Sequence, residues 1–284
     1  MNRLIAGGIL AVAGALTLMA QAPPAAQPAP QAAKQPRPKS KGEVEALQAL
    51  FQAQDPDTRI KAADALITKY ADTEFKDIAL FFAAVSYEQK GDQEKAIVYG
   101  ERAVEANPQN YSALLMLARL TAGRTREHDL DREEKLARVE GYVKNAEAVL
   151  KDAPKPNPAL TDEQWASAKK DMQAQGHEAL GLAAMARKKY DVAITEFKTA
   201  IDTSSQPDPA TMVRLGAAYN LDGKYDAAIT VLDKVMAMQE VHPAVKQFAQ
   251  AEKVRATQAK AGGAAKPAAP ATTVAPGTVE VKRP

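Results

Sequence analysis

From Gly42 to Ala259 apolar side chains recur every three to four residues, the spacing of helices with one buried face. The stretch VEALQALFQAQDPDTRIKAADALITKYADT holds two such helices, with Pro56 at a helix start, and FFAAVSYEQKGDQEKAIVYGERAVEANP holds two more around Gly91. After Pro108, YSALLMLARLTA makes a helix through Leu114, Leu117 and Ala118. A charged stretch, GRTREHDLDREEKLAR, then stands where a short turn is expected. The partner helix runs to about Leu150, and DAPKPNPAL breaks the chain before a long helix that starts near Thr161. At the end, PAVKQFAQAEKVRATQA places Val245, Phe248, Ala249 and Ala256 on one side and charge on the other.

The pattern repeats itself. LGLAAMARKKYDVAITEFKTA, from Leu180, and LGAAYNLDGKYDAAITVLDKV, from Leu215, align without a gap, so Leu180, Gly181, Tyr190 and Ala193 match Leu215, Gly216, Tyr225 and Ala228. Ala84, Tyr87, Gly91, Ala96, Ala103 and Pro108 carry the same frame earlier in the chain. A period of about 34 residues is one helix pair. Small residues let paired helices approach closely: Ala84, Gly181 and Gly216 on first helices, Ala96, Ala193 and Ala228 on second helices. Leu180, Phe197, Leu215, Tyr219 and Leu232 fill the space between, and Gly91 and Gly223 tolerate a left-handed turn. Pro108 and Pro207 fall between repeats.

With its Leu-Gly pair, tyrosine, Gly-Asp or Gly-Lys-Tyr turn, alanine and closing proline, this frame resembles the tetratricopeptide repeat (TPR). The resemblance implies an all-α solenoid of helix-turn-helix repeats, a right-handed superhelix with a C-terminal capping helix. Clear repeats are expected at about 77–110, 174–207 and 209–242, with divergent units at about 43–76 and 111–160. It also implies a concave surface of first helices that holds a peptide or a partner helix. The family's inward positions fall on Ile78, Phe81, Val85 and Glu88, then Leu115 and Arg119, then Glu178, Leu182 and Met185, then Val213, Ala217 and Asn220. Most of that set is apolar. Arg119 is its one basic residue, which does not support the Lys, Asn and Arg ring that captures chaperone C-termini.

The ends read differently. Residues 1–22 have Arg3, an uncharged run from Leu4 to Ala20 and small residues at Ala20-Gln21-Ala22, the parts of a secretory signal peptide. The alternative is a retained membrane anchor, since the run is close to the shortest that crosses a hydrocarbon core of roughly 30 Å. Residues 23–41 form a Pro/Ala-rich linker and 260–284 a similar tail, both expected to be disordered. These ends carry most of the basic excess. The whole chain of 284 residues has formal charge +2, whereas residues 42–259 hold 28 basic and 34 acidic groups. An acidic core argues against a nucleic-acid surface, which needs clustered Lys and Arg.

Chemistry is sparse. The chain has no cysteine, which excludes disulfides, thiolate metal sites and a lipid-modified cysteine anchor. His128, His177 and His242 lie far apart, and no P-loop, dinucleotide glycine motif, nucleophile elbow or His-Glu-x-x-His is present. The expectation is a protein that is not an enzyme, has no cofactor or metal, and binds a peptide or helix of another envelope protein after export to the periplasm or beyond. The runner-up is an inner-membrane-anchored TPR subunit of an envelope assembly or secretion complex.

Overall fold

A computed structural model describes residues 36–262. The expectations for the signal segment, for most of the linker and for the tail beyond Gly262 lie outside the described residues. Within them the chain is all-α, with eleven helices and no strand.

Each helix pair begins on local capping chemistry where the sequence supplies it. Ser40 caps α1 (Lys41–Gln52) by accepting from the Glu43 backbone N–H at 3.1 Å. Asp55 does the same for Thr58 at the start of α2 (Pro56–Lys69), where Pro56 needs no hydrogen bond. α3 (Lys76–Gln89) and α4 (Gln93–Ala106) make the second pair, and Asp92 caps α4 through the Lys95 N–H. α5 (Tyr111–Arg124) and α6 (Arg132–Asp152) are followed by α7 (Asp162–Ala186) and α8 (Tyr190–Thr203). α9 (Pro209–Leu221), capped by Asp208, pairs with α10 (Tyr225–Ala237). α11 (Pro243–Ala261) packs on α9 and α10.

The chain divides into two compact units: residues up to Asn110 with Pro154–Thr161, and Tyr111–Ala153 with Asp162 onward. In the first, Leu47, Leu50, Ala63, Leu66, Phe75, Ala79 and Ala83 build the core of α1 to α3. In the second, Ala118, Leu136, Val139, Val143, Ala179 and Ala183 join α5, α6 and α7, while Phe197, Val213, Leu215, Leu232, Val235, Ala249 and Ala256 join α8 to α11. Each fully buried leucine contributes about 1.5–3 kcal/mol.

Ala84, Ala96, Ala193, Ala228 and Phe197 are fully buried, and Leu215 nearly so. Leu180 and Tyr219 are half-buried against the second unit's cores, and Pro108 is exposed after α4. A Cβ on Gly181 would lie 2.5 Å from the Phe197 ring, and one on Gly216 2.7 Å from Leu232. Gly91 and Gly223 have φ of 78° and 79°, and the backbone N–H of the next residue closes both turns on Tyr87 O and Tyr219 O at 2.9 Å. The third turn of this kind closes identically, Lys189 N–H to Ala184 O at 2.9 Å, yet its left-handed residue is Lys188, with φ 59°.

Polar clips tie pair to pair. Asp77 accepts from Asn107 at 2.8 Å and Asn110 at 3.1 Å, and Asp171 from the Ser205 N–H at 2.7 Å and its hydroxyl at 2.8 Å. The last residues before α1 are held by polar contacts. Arg37 N–H donates to Glu74 at 2.9 Å, and the Lys39 ammonium to Asp72 at 2.8 Å. Glu43 behind them is 1% exposed and accepts from the Lys39 N–H and the Thr73 hydroxyl, each at 2.6 Å. These partners hold a buried carboxylate that would otherwise be costly.

Candidate surfaces on the first helices

In the first unit, Ile78, Phe81, Val85 and Glu88 are all half-buried on α3. Two residues outside the predicted set complete this surface. The Phe82 ring meets Phe51 of α1 edge-on at 5.4 Å and Phe81 at 6.4 Å, so three of the six phenylalanines form one partly exposed cluster across α1 and α3. Such edge-to-face pairs fix ring positions beyond what area burial alone does. Tyr87 is a packing residue next to this surface: its ring lies 5.0 Å from Tyr99, whose hydroxyl donates to Asp64 at 3.1 Å. Burial, then the Asp64 carboxylate, push the Tyr99 hydroxyl up to about 12. A shallow recess of about 190 Å³ between Lys76, Leu80, Arg102, Glu105 and Ala106 lies on the same unit.

In the second unit the predicted set separates. Leu115 is 3% exposed and reaches toward Gly176 of α7; Val213 is 8% exposed, inside the α8 to α11 core. Asn220 is fully buried and its amide donates to the Glu252 backbone O and carboxylate of α11, each at 2.9 Å. These three do not form an open groove, because neighbouring helices cover them. Leu182 and Met185 are half-buried against the core, and Ala217 is likewise half-buried.

Glu178 and Arg119 remain, and a residue outside the predicted set joins them. Arg214 of α9 donates from Nη1 to Glu178 Oε1, an ion pair with side chains 19% and 15% exposed. Burial pushes the Glu178 carboxyl above the usual range despite Arg214 and Arg119, and Asp208 adds to that push. One signal for Arg214 lay in the sequence: it stands 36 residues after Glu178, close to one repeat period.

The histidines serve separate ends. His177 Nδ1 lies 2.8 Å from Glu196, His242 accepts from the Ala244 N–H at the start of α11, and His128 is exposed. Among the described residues no three His, Asp or Glu side chains converge as metal ligands, and no helix is long and apolar enough to cross a membrane.

Comparison with known proteins follows this geometry. A family model described as tetratricopeptide repeat matches residues 44–111 and 178–241. No curated protein matches the chain. A crystal structure of a thermophilic TPR protein from Thermus thermophilus is similar at 20% identity and a TM-score of 0.45, over 75% of this chain and 96% of that one. The two matched stretches, which span α1 to α4 and the region from late α7 to α10, are similar to tetratricopeptide repeats.

Proposed function

We propose that this protein is a non-enzymatic binding scaffold whose first unit docks an apolar segment of another protein on the α1 and α3 surface. The observation that carries this reading is the Phe51, Phe81 and Phe82 cluster, aromatic side chains held edge to face and left partly exposed. Partly exposed aromatic residues on rigid elements are efficient anchors, since little side-chain entropy remains to be lost on binding. TPR domains generally mediate protein–protein interaction, which fits this surface. The signal-like residues 1–22 support an exported protein, with a partner in the cell envelope.

The test compares native-envelope pull-downs with the wild-type chain and Phe81→Glu, with helical circular dichroism as the folding control. Loss of the captured partner with unchanged helicity is expected, because the charge would have to be desolvated in the contact. Equal capture by both excludes this face. Mass spectrometry of the mature amino terminus tests export separately. A start between Gln21 and Gln27 is expected, whereas an intact Met1 excludes cleavage and favours the anchored subunit.

A further inference from the structure

The described chain begins at Pro36, and the residues that follow are fastened to the first unit before α1 starts. Arg37 N–H reaches Glu74 and the Lys39 ammonium reaches Asp72, both in the turn just ahead of α3. From that anchor α1 and α3 run the same way: Glu43 meets Thr73 near their starts, and Phe51 meets Phe82 further along. The half-buried Ile78, Phe81, Phe82 and Val85 therefore lead away from the point where the entering chain is held. Counted by helix rise, Phe81 and Val85 stand about 8 Å and about 14 Å beyond Lys76. The stretch from Pro30 to Arg37 spans about 22 Å as a polyproline helix, enough to pass both.

Composition and charge fit the same path. Residues 23–35 read PPAAQPAPQAAKQ, with no acidic and no bulky apolar side chain. Proline-rich chain docks on exposed aromatic rings because its extended form is set in advance and little entropy is lost. Residues 23–41 carry four basic and no acidic groups, whereas residues 42–110 carry seven basic and thirteen acidic. The tether strengthens any such contact. It holds the segment at an effective concentration in the millimolar range, so a contact that would need roughly 0.1 mM of free peptide is mostly occupied.

We propose that residues 28–35 are the resting occupant of the Phe51, Phe81 and Phe82 surface, laid over it as extended proline-rich chain that a protein partner has to displace. Such cover presupposes that the surface binds apolar chain, which is the function proposed for it, and adds what lies there while no partner is present.

Ring-proton NMR signals of the full chain test this. Pro28→Gly together with Pro30→Gly should shift the rings of Phe51, Phe81 and Phe82 and leave Phe197, buried in the second unit, in place. A synthetic peptide of residues 23–35, added at millimolar concentration to a chain with a Gly-Ser stretch of equal length at those positions, should return the three rings toward their wild-type shifts and saturate. Rings unmoved by the double variant, or a peptide that does not return them, overturn the proposal. Wild-type ring shifts that drift to those of the double variant on dilution would put the segment of a second copy on the surface, and overturn it too. The partner is read separately by capture with Phe81→Glu. Capture lost in that variant, with rings that ignore the linker change, removes the occupant alone; rings that follow the linker, with capture unchanged, leave the linker on this face and remove the partner.

Discussion

At the scale of single residues, glycines in this chain do opposite things in identical backbone. Gly216 and Gly141 are both helical, but a methyl group at Gly216 would press into Leu232, whereas one at Gly141 meets nothing within 4 Å. Gly216→Ala should therefore destabilise by about 1–3 kcal/mol through overpacking. Gly141→Ala should stabilise by about 0.5–1 kcal/mol by removing backbone freedom from the unfolded chain. Urea denaturation of the two variants reads both signs, and equal shifts would discredit the packing explanation. The sequence made the first role legible, since Gly216 repeats Gly181 at the helix contact. It could not identify Glu43 as buried, because its partners Lys39 and Thr73 carry no periodic signature.

At the scale of elements, the lengthened third pair and the cap are where sequence reading stops short. The stretch from Arg124 to Arg138 reads as a solvated helix end, and part of it is a fastened loop. Asp129 accepts from the Arg126 N–H at 3.1 Å, Lys135 reaches Asp129 and Asp131 at 3.0 and 2.8 Å, and Glu127 meets Lys188 at 2.5 Å. Lys188 thus occupies a left-handed turn position that glycine fills elsewhere. Lys188→Gly should raise the urea midpoint by easing the backbone; a lowered midpoint would mean that the tether to Glu127 dominates. No helical periodicity encodes such a contact, which joins residues 61 positions apart. At the other end, α11 is the expected cap, and Asn220 falls on an expected groove position. The cap itself covers Asn220, whose Oδ1 finds no donor among the described residues. Asn220→Ala should cost about 1–3 kcal/mol, since the Glu252 carboxylate loses the amide donor on its Oε2, again read from denaturation.

At the scale of the whole molecule, two sets of carboxyls respond to acid in opposite directions. Asp55 and Asp92 are held below the usual range chiefly by the backbone N–H groups of Thr58 and Lys95, so their contribution is present at neutral pH and lost as pH falls through those lowered values. Glu178 works the other way. Thermal melting followed from neutral to strongly acidic pH should fall steeply only below the ordinary carboxyl range. The double variant Asp55→Asn, Asp92→Asn keeps side-chain oxygens at both caps and should make that fall shallower; an unchanged acid limb would place the loss elsewhere. All-α repeats could be read from spacing because burial in stacked helix pairs is periodic. The surfaces could not, since which first-helix positions stay open depends on the neighbour that covers each one.

The notches at Gly181 and Gly216 have a further consequence for how such an array can be rebuilt. Aligned by the repeat frame, one notch receives a phenyl ring and the other an isobutyl group, Phe197 and Leu232. Helices α8 and α10 are therefore not interchangeable parts despite their shared Ala-Ile-Thr core. A chimera that exchanges them alone puts a branched filler at the Gly181 notch and a flat one at the Gly216 notch. Working shuffles of this protein will have to move each first helix together with the second helix that fills it, as one inseparable casting.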